Sequence, residues 1–566
     1  MSGRRGILCL VAALLLESVS DAARAGTFPT PVPTFHSLGI YWSPAGARAD
    51  RTCGVRFRPV GAADWRTALP LAFDASMAEY RGSLVELTPG TTYDIELTLS
   101  GVGQAVFQAA TRSESFPIAQ TVELPELAST TLTITQGGTP DGYVLYTHAP
   151  GGSATIDVQD LFDYGVVIKA SYVVLRGVNV RGAHRYGVYI PQTGAYTDIV
   201  IEENDISGWG AWEGVFGASS QAGIRVKNPD VRRLVIQRNR IHHPRVDANS
   251  WCEKRDGTPD PLCDTSPSGP IAIRIVDTGG NHVIRYNEIR SDDDHYFADC
   301  IGGEGTASGF PTADSDIYGN YIERCWDNPI EAEGTDVNTR IWGNFIDLSY
   351  SPIGITPVTE GPLYIWRNVV HSARKGPFED PPENLHGQFL KAGGGSSGKV
   401  YIYHNTLLQP AAPLRGVIVG ISNSTTVAPA TNMVSRNNIL QVTDATQESI
   451  DDAAGVGNDY DFDLCNGQVP GWAEIHGWSA TPLYDPGGPA NTFYLAPWSP
   501  GLDWGALLPN FNDDFVGLGP DVGAYERGLP PLEFGVDAYR TTSRPATPGG
   551  ESVAPRVPVF SRSDRD

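Results

Sequence analysis

Two segments 29 residues apart match each other: Asp299-Cys-Ile-Gly-Gly-Glu304-Gly and Asn328-Pro-Ile-Glu331-Ala-Glu333-Gly. In an extended strand alternate side chains share a face, so Glu331 and Glu333 point one way while Ile330 and Ala332 point the other. If the two segments lie on neighbouring strands, about 4.8 Å apart, Glu304 stands beside Glu333. Glu331 then lies about two residues along, and Asp299 and Asp327 sit at the strand entrance. Carboxylates packed this closely repel, so at least one should hold its proton above the usual range. A protonated carboxyl beside an ionised one is what glycoside hydrolysis requires of its acid and its base or nucleophile. The same hard oxygens suit Ca²⁺, with Glu331, Glu333 and Glu304 as ligands. The structural alternative is a solvated sheet face on which the carboxylates do nothing.

Basic side chains on the corresponding strands, Arg225, Lys227, Arg274 and Lys391, are expected to join that face and orient a substrate, with Thr356 among them. Lys391 carries a register uncertain by about one residue. Trp326, Tyr296, Trp209 and Trp212 fall in insertions near the face, where they either stack on sugar rings or pack under loops. The run Asp292-Asp293-Asp294-His295 reads as a solvated loop, with a metal or substrate role as its alternative.

The elements that would position these residues come from a repeat between residues 165 and 445. One unit is an apolar residue, two variable residues, Asn, one variable residue and a second apolar residue. It runs Ile201-Glu-Glu-Asn204-Asp-Ile206, then recurs around Asn239, Asn287, Asn320, Asn344, Asn368, Asn405 and Asn437. The first coil carries Val178 in place of Asn. Successive Asn residues are 35, 48, 33, 24, 24, 37 and 32 apart. The shortest spacing is one turn of a parallel solenoid, and the longer ones are that turn plus a loop. The flanking apolar residues should stack inward, and each Asn should take the left-handed turn conformation and hydrogen-bond its copy in the next coil. The pattern resembles the right-handed parallel β-helix family that includes pectate lyases and polygalacturonases. The resemblance implies an all-β solenoid and carbohydrate chemistry on one face.

Family motifs are only partly present. Glu331-Ala-Glu333 resembles the calcium pair of β-helix lyases acting on alginate and dermatan, but the position five residues on, where those carry a lysine base, is Asn338. Lys391 or Arg274 would have to supply that base. The Asn-Thr-Asp, Asp-Asp and Gly-His-Gly blocks of polygalacturonases are absent.

Ahead of the repeat, residues 33–112 read as a small β-sandwich. Leu87-Thr-Pro-Gly-Thr-Thr-Tyr93 resembles the segment of fibronectin type III domains whose tyrosine bonds back to the chain, which implies a spacer or binding module. Residues 113–164 are expected to connect and cap the solenoid, 446–530 to close it, and 531–566 to form a disordered tail rich in Pro, Ser, Thr and Arg. Ser499-Pro-Gly-Leu-Asp503 and Pro520-Asp-Val-Gly-Ala-Tyr-Glu526 resemble segments that follow bacterial β-helix repeats.

Arg4 and Arg5, the apolar run 7–16 and Ala23-Arg24-Ala25 have the layout of a secretory signal peptide over residues 1–25. Ten apolar residues are too few to span a bilayer, and a secreted monomer without a membrane span is expected. Six of the seven cysteines follow that segment. Cys252 and Cys263 are expected to staple one loop, and Cys300 and Cys325 to pair across neighbouring coils.

The 566 residues carry 65 acidic and 41 basic side chains, a net charge of −24. That balance argues against nucleic acid as a partner and favours a neutral over a polyanionic substrate. The sequence therefore points to a secreted enzyme that hydrolyses a polysaccharide. Its alternatives are a polysaccharide lyase, with or without Ca²⁺, and a non-catalytic glycan-binding or adhesion protein.

Overall fold

The computed structural model describes residues 28–211, 221–248, 267–292, 294–303, 309–371, 373, 387–408, 419–424, 427–443, 445–453, 457–487 and 492–540. Every regular element among them is a strand. From residue 118 onward the chain winds as a right-handed parallel β-helix with three stacked sheets. The first sheet has eleven strands, from Leu132–Ile134 to Glu448–Asp452; the second has twelve, from Ile118–Leu124 to Asp459–Tyr460. The third has thirteen, from Leu127–Ala128 to Trp478–Ser479. Inward aliphatic side chains stack coil on coil: Ile224, Ile273, Ile301, Ile330 and Ile353 form one such column, and all are fully buried. Burying each contributes roughly 1.5–3 kcal/mol.

The asparagines form a continuous buried ladder at the turn between the second and third sheets. Asn344 shows the pattern: its Nδ2 donates to Ile317 O of the coil before at 3.0 Å and to Asn368 Oδ1 of the coil after at 2.9 Å. Only an amide both donates and accepts in this way, which is why the position repeats as Asn. The left-handed residue, however, is the one before each Asn. Glu203, Arg238, Tyr286, Gly319, Gly343, Arg367, His404 and Asn437 have φ between 51° and 65°. Turning at that residue aims the next side chain inward. The last rung corrects the repeat by one position: Asn437 makes the turn and Asn438 joins the ladder, with Ser435 beside Ile402 and Leu440 beside Leu407. The ladder ends on Asp463, whose Oδ1 accepts from the Asn438 amide at 2.9 Å.

Seven N-terminal strands, Thr30–Pro33, Leu38–Trp42, Cys53–Pro59, Arg66–Asp74, Glu79–Leu84, Thr92–Leu99 and Gly103–Ala110, close a sandwich over Ile40, Phe57, Tyr80, Ile95 and Leu97. The Tyr93 hydroxyl accepts the Thr88 N–H at 2.9 Å. This unit is not a spacer strung ahead of the solenoid, because it packs on the second sheet through a buried polar interface. Arg340 and Asp316, both fully buried, form an ion pair there; Arg340 also reaches Ser83 Oγ at 3.1 Å, and Thr34 donates to Asp316. Tyr41 donates to Asp314 Oδ2 at 2.8 Å, and Tyr364 accepts the Ser83 N–H at 3.0 Å.

The closing segment runs back along the molecule. Asn510 pairs with the backbone of Val85 through both amide atoms, and Arg238 reaches the carbonyls of Val536 and Ala538 at 2.8 and 2.9 Å. The expected disorder from residue 531 is therefore corrected: Phe534 packs on Phe345, and Val536 and Ala538 are buried. Apolar side chains spaced through this stretch give it a surface to bind. Cys300 and Cys325 form the cross-coil disulfide, while Cys53 and Cys465 are buried thiols. Residues 1–25, Cys252, Cys263 and the tail beyond 540 lie outside the described residues. No helix among the described residues is long and apolar enough to cross a membrane.

Candidate functional site

Backbone pairing in the first sheet fixes one outward row: Arg225, Arg274, Gly302, Glu331, Gly354, Lys391, Ser422 and Asp451. The two glycines make the hollow that the acidic side chains occupy. A Cβ on Gly302 would lie 2.8 Å from both Cβ and Oε2 of Glu331. A Cβ on Gly354 would collide with Asn328 Oδ1 and lie 3.1 Å from Glu333 Oε1. Ile330 and Ala332 point into the core, so Glu331 and Glu333 share the outer face as the alternation requires.

Four carboxylates and one ammonium meet there. Lys391 Nζ lies 2.9 Å from Glu333 Oε1, which fixes the Lys391 register. Glu331 Oε2 accepts the Gly303 N–H at 3.2 Å. Asn328 bridges the two aspartates: its backbone N–H donates to Asp299 Oδ1 at 3.1 Å, and its side-chain amide donates to Asp327 Oδ1. The Cys300–Cys325 disulfide holds the two coils together one residue after Asp299 and two before Asp327.

Burial and neighbouring charge set the electrostatics of the cluster. Desolvation, then the charge of Asp327, pushes Asp299 up to about 7. Desolvation, then Asp299 and Glu333, drives Glu331 well above the carboxylate range, which favours its protonated form. Asp327 and Glu333 are also raised by burial, opposed in both by the Lys391 charge. Burial alone would lower Lys391, but Asp327 and Glu333 outweigh it and hold the ammonium charged. Behind Glu333, Asp336 is fully buried and shifted upward by desolvation and by Glu333. The site thus presents a carboxyl pushed toward its neutral form, Glu331, beside an ion-paired one, Glu333.

The donor set does not fit Ca²⁺. Glu331 already accepts a backbone N–H, and an ammonium 2.9 Å from Glu333 repels a second cation. Among the described residues no three His, Cys, Asp or Glu side chains converge as metal ligands. Glu304, the third expected ligand and a candidate catalytic group, lies outside the described residues, as does Trp212.

The remaining expected residues are dispersed. Arg225 and Arg274 are neighbours on the row and largely buried, and Lys227 pairs beside Val276 two positions along. Tyr296 and Trp326 stack on each other at 4.1 Å in a buried cluster with Ala248 and Ala298, so neither offers a face to a sugar. Trp209 is likewise interior, against Phe297. Asp292 and His295 belong to the third-sheet side, in a chain of contacts: Asp205 with His242 (3.2 Å), His242 with His243 (2.7 Å), His243 with Asp292 (3.3 Å) and Asp292 with His295 (2.6 Å). His242, His243 and Asp292 line a cavity of about 420 Å³ together with Arg240, Arg290 and Arg324; His295 lies outside its lining. Asn328, Gly302 and Gly354 were not singled out from the sequence. The signal for the glycines was their place in a row of charged residues, which becomes visible once the coils are in register.

No family model matches the sequence, and no curated protein matches it. Solved structures similar to the chain include pectate lyase Pel9A, at 13% identity and a TM-score of 0.36 over 74% of this chain and 92% of that one. Another is pectate lyase PelI from Erwinia chrysanthemi in complex with tetragalacturonic acid, at 11% identity and a TM-score of 0.15 over 62% of this chain and 90% of that one.

Proposed function

We propose that this chain is an exported enzyme that hydrolyses glycosidic bonds of a polysaccharide. The observation that carries the reading is the placement of Glu331, pushed by burial toward its protonated form, on the same face as a Glu333 held 2.9 Å from Lys391. Glu331 donates its proton to the departing glycosidic oxygen. Glu333, or the Asp299–Asp327 pair held by Asn328, acts as base or nucleophile, and Lys391 and Arg274 orient the sugar. Proton donation by a positioned carboxyl supplies about 10²–10⁴ in rate. The net charge of −24 favours a neutral glycan. The Tyr93 hydrogen bond supports the fibronectin type III-like reading of the sandwich, and the disulfide suits an oxidising compartment.

The test is digestion of a glycan panel by wild type, Glu331→Gln and Glu333→Gln, with product masses measured. Products heavier by one water are expected from wild type alone. Unchanged activity in both variants removes the assignment. Arg225 and Arg274, adjacent on the row that leads to Lys391, favour a second reading, elimination from a uronate. Unsaturated products without added water would select it. The ammonium character of Lys391 argues against that residue as the required base.

A further inference from the structure

Exposed tryptophans cluster at one end of the solenoid. Nineteen large hydrophobic side chains are exposed among the described residues, and nine of them fall between residues 472 and 518. All four exposed tryptophans are in that stretch: Trp472 (40%), Trp478 (37%), Trp498 (72%) and Trp504 (41%). Concentrated exposure of this kind marks an interaction surface, whereas scattered apolar residues do not.

The rings are held in place. Trp478 belongs to the last strand of the third sheet, paired to Leu464–Cys465. The Trp504 ring lies 5.3 Å from it at 69°, and the Trp504 indole N–H donates to His476 O at 3.3 Å. The His476 ring lies on Phe462 at 5.0 Å, and Trp472 stacks on Tyr460 at 5.5 Å. The loop carrying Trp498 is tied to Leu483 by two hydrogen bonds, at 2.8 and 2.9 Å.

The chemistry of the surface selects its occupant. Every exposed aromatic in the group is an indole, with a broad apolar face and a polar edge, suited to a ligand that is itself apolar on its faces and polar around its rim. A pyranose ring is such a ligand. The charges beside the rings are acidic: Asp461 contacts His476 at 2.6 Å, and Asp503 bonds the backbone of Leu518 at 3.0 Å. With a net charge of −24 for the chain, they repel anionic polymers and anionic lipid surfaces.

We propose that the C-terminal end of the solenoid is a non-catalytic binding surface for a neutral polysaccharide, whose sugar rings stack on Trp472, Trp478 and Trp504. It deepens the glycan reading above but stands on the tryptophans, independently of the carboxylate cluster.

Native affinity electrophoresis of the full chain through gels containing xylan, galactomannan or mixed-linkage glucan, with polygalacturonate as the anionic control, tests it. Retardation by at least one neutral polymer is expected, weakened at least tenfold in Trp478→Ala/Trp504→Ala and unchanged in Leu161→Ala, an exposed apolar side chain outside this stretch. Trp472→Ala, which touches a separate part of the surface, decides the matter if the double variant misfolds. No retardation by any neutral polymer, retardation by polygalacturonate alone, or retardation indifferent to the tryptophan variants overturns the proposal. A dimer in analytical ultracentrifugation that the double variant dissolves also overturns it, assigning the surface to a second copy of the chain. Retained binding by a Glu331→Gln variant that still cleaves glycans would remove the catalytic assignment and leave this one standing.

Discussion

Lys391 Nζ and Glu333 Oε1 are 2.9 Å apart, although 58 residues and two coils of the solenoid separate them in the chain. The contact keeps Glu333 ionisable in a pocket where burial alone would neutralise it. Replacing Lys391 by Met should therefore raise the Glu333 pKa further. The acidic limb of the kcat/KM profile should move to higher pH, with kcat lowered ten- to a hundredfold. A variant whose profile merely drops in height without moving would show that Lys391 acts on substrate alone.

Gly302 and Gly354 leave the room in which the carboxylates sit. In Gly302→Ala the new methyl would meet Cβ and Oε2 of Glu331 at 2.8 Å, and Glu331 must turn away from the Gly303 N–H. Activity should fall at least tenfold while the melting temperature changes by only a few degrees. Gly343→Ala, at a position with open space around it but a left-handed φ of 57°, serves as a control for backbone strain, lowering stability without lowering kcat.

The acidic cluster should oppose folding as pH rises. Asp299 has a folded pKa near 7 against an ordinary value of 3.8, so the native state binds the extra proton between those limits. Stability contributed in that window is present at low pH and is lost as pH climbs toward 7. A single carboxyl shifted that far would cost up to about 4 kcal/mol at neutral pH. Asp299→Asn should accordingly stabilise the protein more at pH 8 than at pH 5, read as the difference in melting temperature from wild type at each pH. Equal differences at both pH values would contradict the shift.

Asn344 occupies the middle of the ladder and is fully buried. Asn344→Ala leaves Ile317 O without its side-chain donor and the Asn320 N–H without its acceptor, while Asn368 Oδ1 keeps the backbone N–H of residue 344. An unsatisfied buried polar group costs about 1–3 kcal/mol, so urea denaturation should show a loss of roughly 2–5 kcal/mol. Asn179→Ala, outside the ladder and half-buried, should cost under about 1 kcal/mol.

Arg340 and Asp316 sit fully buried between sandwich and solenoid. Arg340→Ala strands the Asp316 charge and should destabilise by about 3–5 kcal/mol. Because the interface is shared, calorimetry of the wild type should give one unfolding transition, and the variant should separate it into two.

Much of the solenoid was legible because its signals are local and repeated. The Ile-x-x-Asn-x-Ile unit states its own period, and alternation within Ile330-Glu331-Ala332-Glu333 assigns faces without any other information. The misplaced rung at Asn437 shows the limit: Asn437 fits the pattern, since the unit around Asn438 opens on Ser435, yet stacking of Leu440 on Leu407 puts Asn438 in the ladder. Tyr296 and Trp326 show another, since an aromatic ring in an insertion carries no mark of whether loops will close over it.

The sequence by itself determined the fold class, the coil repeat and the face shared by Glu331 and Glu333, because hydrophobic periodicity and turn chemistry act over a few residues. Tertiary structure alone decided that Glu331 is pushed toward its neutral form, that Lys391 reaches Glu333, that Asn328 joins Asp299 to Asp327, and that the sandwich is welded to the second sheet. Those outcomes depend on desolvation and on contacts between residues distant in the chain, and both are set only when the coils stack.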